Sequence, residues 1–182
     1  MRHSLKLHPD SRCDAATSIE VYVSRGRTGN LLLHYYLTGI GNIAIPSLAG
    51  WTRDDGLWRH TCFEAFLRPS QGDAYYEFNF SPSTQWAAYR FEGTRSGMRN
   101  ASEIAPQIEL RRESDRFELR AHLTLDGLSD LPTESPWRLG LSAVIEETNG
   151  RLSYWALAHP PGKPDFHHSD CFALELPAIL PP

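Results

Sequence analysis

The sequence predicts an all-β protein, an antiparallel β-sandwich of about nine or ten strands, immunoglobulin-like or jelly-roll-like. Three observations carry that expectation. Short runs of alternating residues recur at fairly even spacing, as where Phe117, Leu119, Ala121, Leu123 and Leu125 alternate with Glu118, Arg120, His122 and Thr124. Such alternation puts one side of an extended segment against a core. The 13 prolines and 13 glycines stand almost entirely between these runs, where turns require them. No segment carries the spacing of a long amphipathic helix.

Taken in order, residues 1–17 are polar and mixed and read as a loose entry segment, with one domain expected over 18–177. Ile19–Val23 alternates, Arg25–Asn30 turns the chain, and Leu31–Leu37 is apolar on both faces, as a central strand would be. Residues 39–56 form a long loop around Trp51. Three antiparallel strands follow at Leu57–Leu67, Ala74–Phe80 and Gln85–Phe91. After an irregular stretch holding Met98, strands are expected at Gln107–Arg111, Phe117–Leu125, Trp137–Ile145, Leu152–Ala158 and Cys171–Leu176, with one helical turn at Asp126–Leu131. Thr148-Asn149-Gly150 marks a hairpin.

The segment Asp55–Phe91 carries the chemistry. By strand parity, Phe63, Ala65 and Leu67 form one row with Tyr76, Phe78 and Phe80 as its neighbour. The other face holds Trp58, His60, Cys62 and Glu64 beside Tyr75, Glu77, Asn79 and Ser81. A solvated face is commonly rich in lysine, and this segment contains none. An exposed ring beside carboxylate and amide groups suits a sugar, whose apolar face stacks while its hydroxyls are hydrogen-bonded. Glu64 and Glu77 on neighbouring strands would also suit the acid and base of a glycosidase. Partly exposed glutamates paired with arginine or a ligand hydroxyl are the commoner arrangement, and a non-catalytic protein is expected. Cys62 beside His60 reads as a packed small hydrophobe rather than a nucleophile.

Composition excludes several classes. A formal charge of −4 and a pI near 6.0 provide no basic field for nucleic acid. No apolar run is long enough for a membrane span or a signal peptide, so a cytoplasmic location is expected. Cys13, Cys62 and Cys171 are too scattered for a disulfide framework or a zinc site. His159, His167, His168 and Asp170 share a loop, but their spacing matches no established ligand set, and they read as solvent-exposed. No metal is expected. Nucleotide-binding and hydrolase motifs are absent.

In order along the chain, LWRHTCFEAFL, YYEFNFSPSTQWAAYRF, RFELRAHLTLDGL, WRLGLSAVIEE and SYWALAHPPGKPDFHHSDCFALEL resemble the DOMON-like domains, which include the type 9 carbohydrate-binding modules. The likeness spans roughly residues 18–177 and implies a sandwich of about ten strands that binds sugar or haem. For a saccharide it implies Trp58 as the stacking ring, Glu64 as an acceptor for hydroxyls and Asn79 as a further contact. Glu77 stands where the sugar-binding relatives tend to have a basic residue. A second stacking ring would come from Trp51, Trp155 or Phe166. For haem it implies Met98 as one axial ligand, with His60, His122 or His168 as the other. No cofactor is the leading expectation, and a small saccharide the leading partner.

Overall fold

The alternating rows pair into two antiparallel sheets in the computed structural model, which describes residues 1–179. Its thirteen strands are β1 (Arg2–Ser4), β2 (Lys6–Leu7), β3 (Ser18–Arg25), β4 (Leu31–Thr38), β5 (Cys62–Pro69), β6 (Tyr75–Phe80), β7 (Trp86–Phe91), β8 (Arg99–Asn100), β9 (Gln107–Arg112), β10 (Arg116–Leu123), β11 (Trp137–Glu146), β12 (Leu152–Ala156) and β13 (Leu174–Leu176). The first sheet runs β1-β3-β4-β10-β9. The second runs β2-β12-β11-β5-β6-β7-β8, with β13 also paired to β11. The expected β-sandwich is therefore the observed fold.

Between the sheets lies the main core. The first sheet supplies Val21, Leu31, Leu33, Tyr35, Leu37, Leu119 and Leu123, all 5 % exposed or less. The second supplies Phe63, Ala65, Leu67, Phe78, Phe80, Leu139 and Ile145, each at 0 %. The parity read for β5 and β6 is the one the structure adopts. Tyr35 crosses this layer and donates its hydroxyl to the Glu64 carbonyl at 2.8 Å. That bond satisfies the one polar atom a buried tyrosine brings.

Three expectations on the elements need correction. Residues 1–17 are not loose: β1 pairs with β3, β2 pairs with β12, and Leu5, His8, Ala15 and Ala16 are buried. The Glu147 carboxylate holds this segment, accepting from the Asp14 and Ala15 amides at 2.7 and 3.0 Å and from Arg151 at 2.6 Å. β4 is central, as expected, between β3 and β10, although Leu32 on its outer face is 41 % exposed. Asp126–Leu131 forms turns, not a helical turn. The strand expected from Leu57 begins at Cys62, because Leu57–Arg59 is a 3₁₀ turn entered through Gly56 at φ +74°.

Candidate functional site

The outer face of the second sheet has its own layer. Register sets Ser142, Glu64, Asn79 and Ala87 side by side on β11, β5, β6 and β7, and next to them Gly140, Phe66, Glu77 and Tyr89. The segment between β12 and β13 folds over part of this face. Its Phe166 and Phe172 join Phe66, Tyr75 and Phe91 in a second apolar cluster. Gly140 permits the close approach: a Cβ there would meet the Cys171 carbonyl oxygen at 3.0 Å and Phe66 Cβ at 3.4 Å.

Where the cover stops, a cavity of about 830 Å³ opens onto the sheet. Glu64 and Glu77 form its floor, and Tyr89, Phe91, Val144, Tyr154 and Phe166 its apolar walls. Trp58, 50 % exposed, stands at the rim, with Asp55, Asn100, Arg95, Met98, Lys163 and His167 around it. The volume lies in the range of small-ligand sites.

The floor is a buried polar network. Asn79 donates to Glu77 Oε1 at 2.8 Å, and Ser142 donates to Glu64 Oε2 at 3.3 Å. Tyr75 Oη accepts the Arg95 amide at 3.2 Å and lies 2.7 Å from His167 Nδ1. In the tautomer where the tyrosine donates to Nδ1, the imidazole proton sits on Nε2. Nε2 faces Glu77 Oε2 at 3.7 Å, too long for a hydrogen bond.

Electrostatics follow from burial. Glu64 is 3 % exposed, and desolvation followed by the charge of Glu77 pushes its carboxyl well above the ordinary range. Desolvation lifts Glu77 to about 7 against the pull of Asn79 and Arg95. Desolvation, reinforced by Arg95, brings His167 down to about 4, so the ring is neutral at pH 7. At the mouth, Arg53 clamps Asp55 with two bonds of 2.8 and 3.1 Å, and Tyr89 Oη donates to Asp55 at 2.5 Å. These bonds keep Asp55 ionised, below the usual carboxylate range. Arg95 has a left-handed backbone, φ +53°, and pairs with Asp165 at 2.8 Å. Non-glycine residues in that region concentrate at functional sites.

The sequence matches no protein-family model and none of the curated proteins. Among solved structures, a candidate carbohydrate-binding protein from Bacteroides uniformis superposes with a TM-score of 0.66. It shares 16 % identity over 94 % of this chain and 83 % of its own. A family 9 carbohydrate-binding module from Caldicellulosiruptor kristjanssonii, solved with cellotriose, superposes with a TM-score of 0.53. It shares 10 % identity over 89 % of this chain and 74 % of its own. In fold, this chain is similar to a family 9 carbohydrate-binding module.

Within that module-like fold, the six residues read from sequence divide. Trp58, Glu64 and Glu77 line the cavity, and Asn79, 1 % exposed, sits behind Glu77 as its hydrogen-bond donor. Trp155 does not reach the site: it points into the core between the sheets, 7 % exposed, and bonds Ser153 Oγ at 3.1 Å. Its neighbour Tyr154 takes the outward position on β12. Trp51 is exposed but lies at the sandwich rim, 6.1 Å from Trp86, with Nε1 donating to the Pro106 carbonyl at 2.7 Å. Phe166 does line the cavity.

Met98 lines the mouth, but none of His60, His122 and His168 lines the cavity. His60 pairs with Glu146 at 2.8 Å, His122 lies on β10 in the other sheet, and His168 caps the turn at Asp170. The loop position predicts a solvent-exposed His167, yet its side chain is only 14 % exposed. Sequence reasoning also missed Asp55, Tyr89, Arg95 and Lys163. Parity with Glu77 on the neighbouring strand would have found Tyr89; no local pattern marks the other three.

Proposed function

We propose that this protein binds a small saccharide, without catalysis, in the cavity over the second sheet. The observation that carries the reading is the combination of a half-exposed Trp58 at the rim with buried Glu64 and Glu77 on the floor. The indole offers a flat apolar platform for a pyranose face, and the two carboxyl groups and His167 Nε2 offer acceptors and a donor to its hydroxyls. The structural likeness to a cellotriose-bound module supports the same class of ligand. One stacked ring and two or three neutral hydrogen bonds net ~3–5 kcal/mol, a dissociation constant of roughly several millimolar to a few hundred micromolar.

The test is calorimetric titration with glucose and cellotriose, followed by a wider panel of saccharides. Binding in that range, weakened by Trp58→Ala, supports the reading; no heat from any saccharide overturns it. A second reading, hydrolysis by Glu64 and Glu77, draws on the carboxyl held near 7, a value suited to a general acid at neutral pH. Release of reducing ends from oligosaccharides, abolished by Glu77→Gln, would replace the first reading with the second.

A further inference from the structure

The two carboxyl groups on the cavity floor are unusually under-compensated. Among the described residues no lysine or arginine forms an ion pair with Glu64 or Glu77, and the one charge-capable contact is His167 at 3.7 Å. Arg95, at the mouth, is held by Asp165. Lys163 is exposed on the rim. Glu64 is 97 % buried and accepts only from Ser142 on Oε2; no described residue donates to its Oε1. Around this acidic floor stand five aromatic rings, Trp58, Tyr89, Phe91, Tyr154 and Phe166. A protonated amine satisfies both features, since an ammonium pairs with carboxylates and is attracted to aromatic faces.

Resting on the saccharide reading above, we infer that the preferred ligand is an amino sugar, whose protonated amine sits on the floor between Glu64 and Glu77 while its ring stacks at Trp58. A neutral sugar leaves the floor as it is in the empty protein, where burial keeps the pair partly protonated near neutral pH. An ammonium replaces those protons with its own charge. Binding therefore releases protons and strengthens as pH rises through 7, provided that the amine stays charged. The other groups facing the pair do not compete for this role. Cys62 is held protonated by burial, Tyr75 and His167 are neutral and bonded to each other, and Asn79 and Ser142 only donate.

The experiment is calorimetric titration of the full chain at pH 7 with glucosamine, glucose, N-acetylglucosamine and ethanolamine, each in two buffers of different ionisation enthalpy. Exchanging a neutral for a charge-assisted hydrogen bond gives an expected preference of about tenfold for glucosamine over glucose and N-acetylglucosamine. A buffer-dependent heat is expected for glucosamine alone among the three sugars. In Glu64→Gln and Glu77→Gln the ratio of glucosamine to glucose affinity should fall towards one, whatever happens to the affinities themselves. Both wild-type readouts stand even where a variant fails to fold. Glucose binding as tightly as glucosamine would overturn the amine inference and leave the saccharide reading standing. Ethanolamine binding as tightly as glucosamine would overturn the sugar ring as carrier of the charge. Absence of binding by all four would overturn the inference, and the saccharide reading falls with it only when cellotriose and the wider panel also give no heat.

Discussion

Replacing Glu77 by glutamine should make the folded protein more stable above neutral pH, and the size of the gain follows from the site. In the unfolded chain this carboxyl ionises near 4.5, and in the folded protein near 7. Below about 4.5 both states are protonated and the stability associated with the group is fully present. As pH rises further, the unfolded chain gives up its proton while the folded one keeps it, so stability falls until pH passes 7. At about 1.4 kcal/mol for each unit between the two values, the loss is about 3 kcal/mol. Glu77→Gln removes the titration and keeps an acceptor for Asn79 Nδ2, 2.8 Å away in the native protein. His167 works in the opposite sense: its value falls from 6.5 to about 4, so its stability is gained as pH rises over that interval. The two slopes partly cancel in the native protein, and only the difference between variant and native isolates Glu77. Because Glu64 is close enough to interact, the difference reports the pair's proton rather than one residue's alone. Urea denaturation at pH 4.5, 5.5, 6.5 and 8 measures it. The difference should be near its minimum at pH 4.5 and grow to about 3 kcal/mol in favour of the variant by pH 8. A difference that stays flat, or grows in favour of the native protein, refutes the reasoning that an uncompensated carboxylate is buried here.

Three further outcomes follow from the two layers. Trp58→Ala should weaken saccharide binding at least about tenfold while changing stability by no more than about 0.5 kcal/mol, because half of the ring already faces solvent; titration and thermal melting of the same sample check both halves. Phe63→Ala and Phe78→Ala, each fully buried between the sheets, should destabilise by ~3–5 kcal/mol in urea unfolding. Gly140→Ala should force the Cys171 backbone away from β11, costing about 1–3 kcal/mol and exposing the cover to proteolysis sooner than the native chain.

Much of the second sheet was legible because its strands are amphipathic in alternation. Phe63, Ala65 and Leu67 beside Tyr76, Phe78 and Phe80 fix which side of β5 and β6 meets the core, and the same parity brings Glu64, Glu77 and Asn79 to the other side. Three features lay beyond local pattern. β1 and β2 are three and two residues long, too short to alternate, and exist through pairing with β3 and β12. Trp155 follows Tyr154, so either ring could face the core; the register of β12 against β11 decides it. The cover is held by Phe166, Phe172 and His167 packing on Phe66 and Tyr75, contacts made across ~100 residues of chain. Its histidines therefore look like loop residues in sequence although His167 belongs to the floor network. Trp58 reaches the rim from a 3₁₀ turn rather than a strand, so its position there does not rest on the parity that suggested it.

The central claim is where the ligand sits. Backbone amide NMR spectra of the full chain, recorded during titration with glucose and then cellotriose, test it most directly. Shifts concentrated at Trp58, Glu64, Glu77 and Tyr89 and along residues 163–167 are the predicted result. Shifts confined instead to Leu32, His34 and His122, on the outer face of the opposite sheet, would contradict the assignment of the cavity.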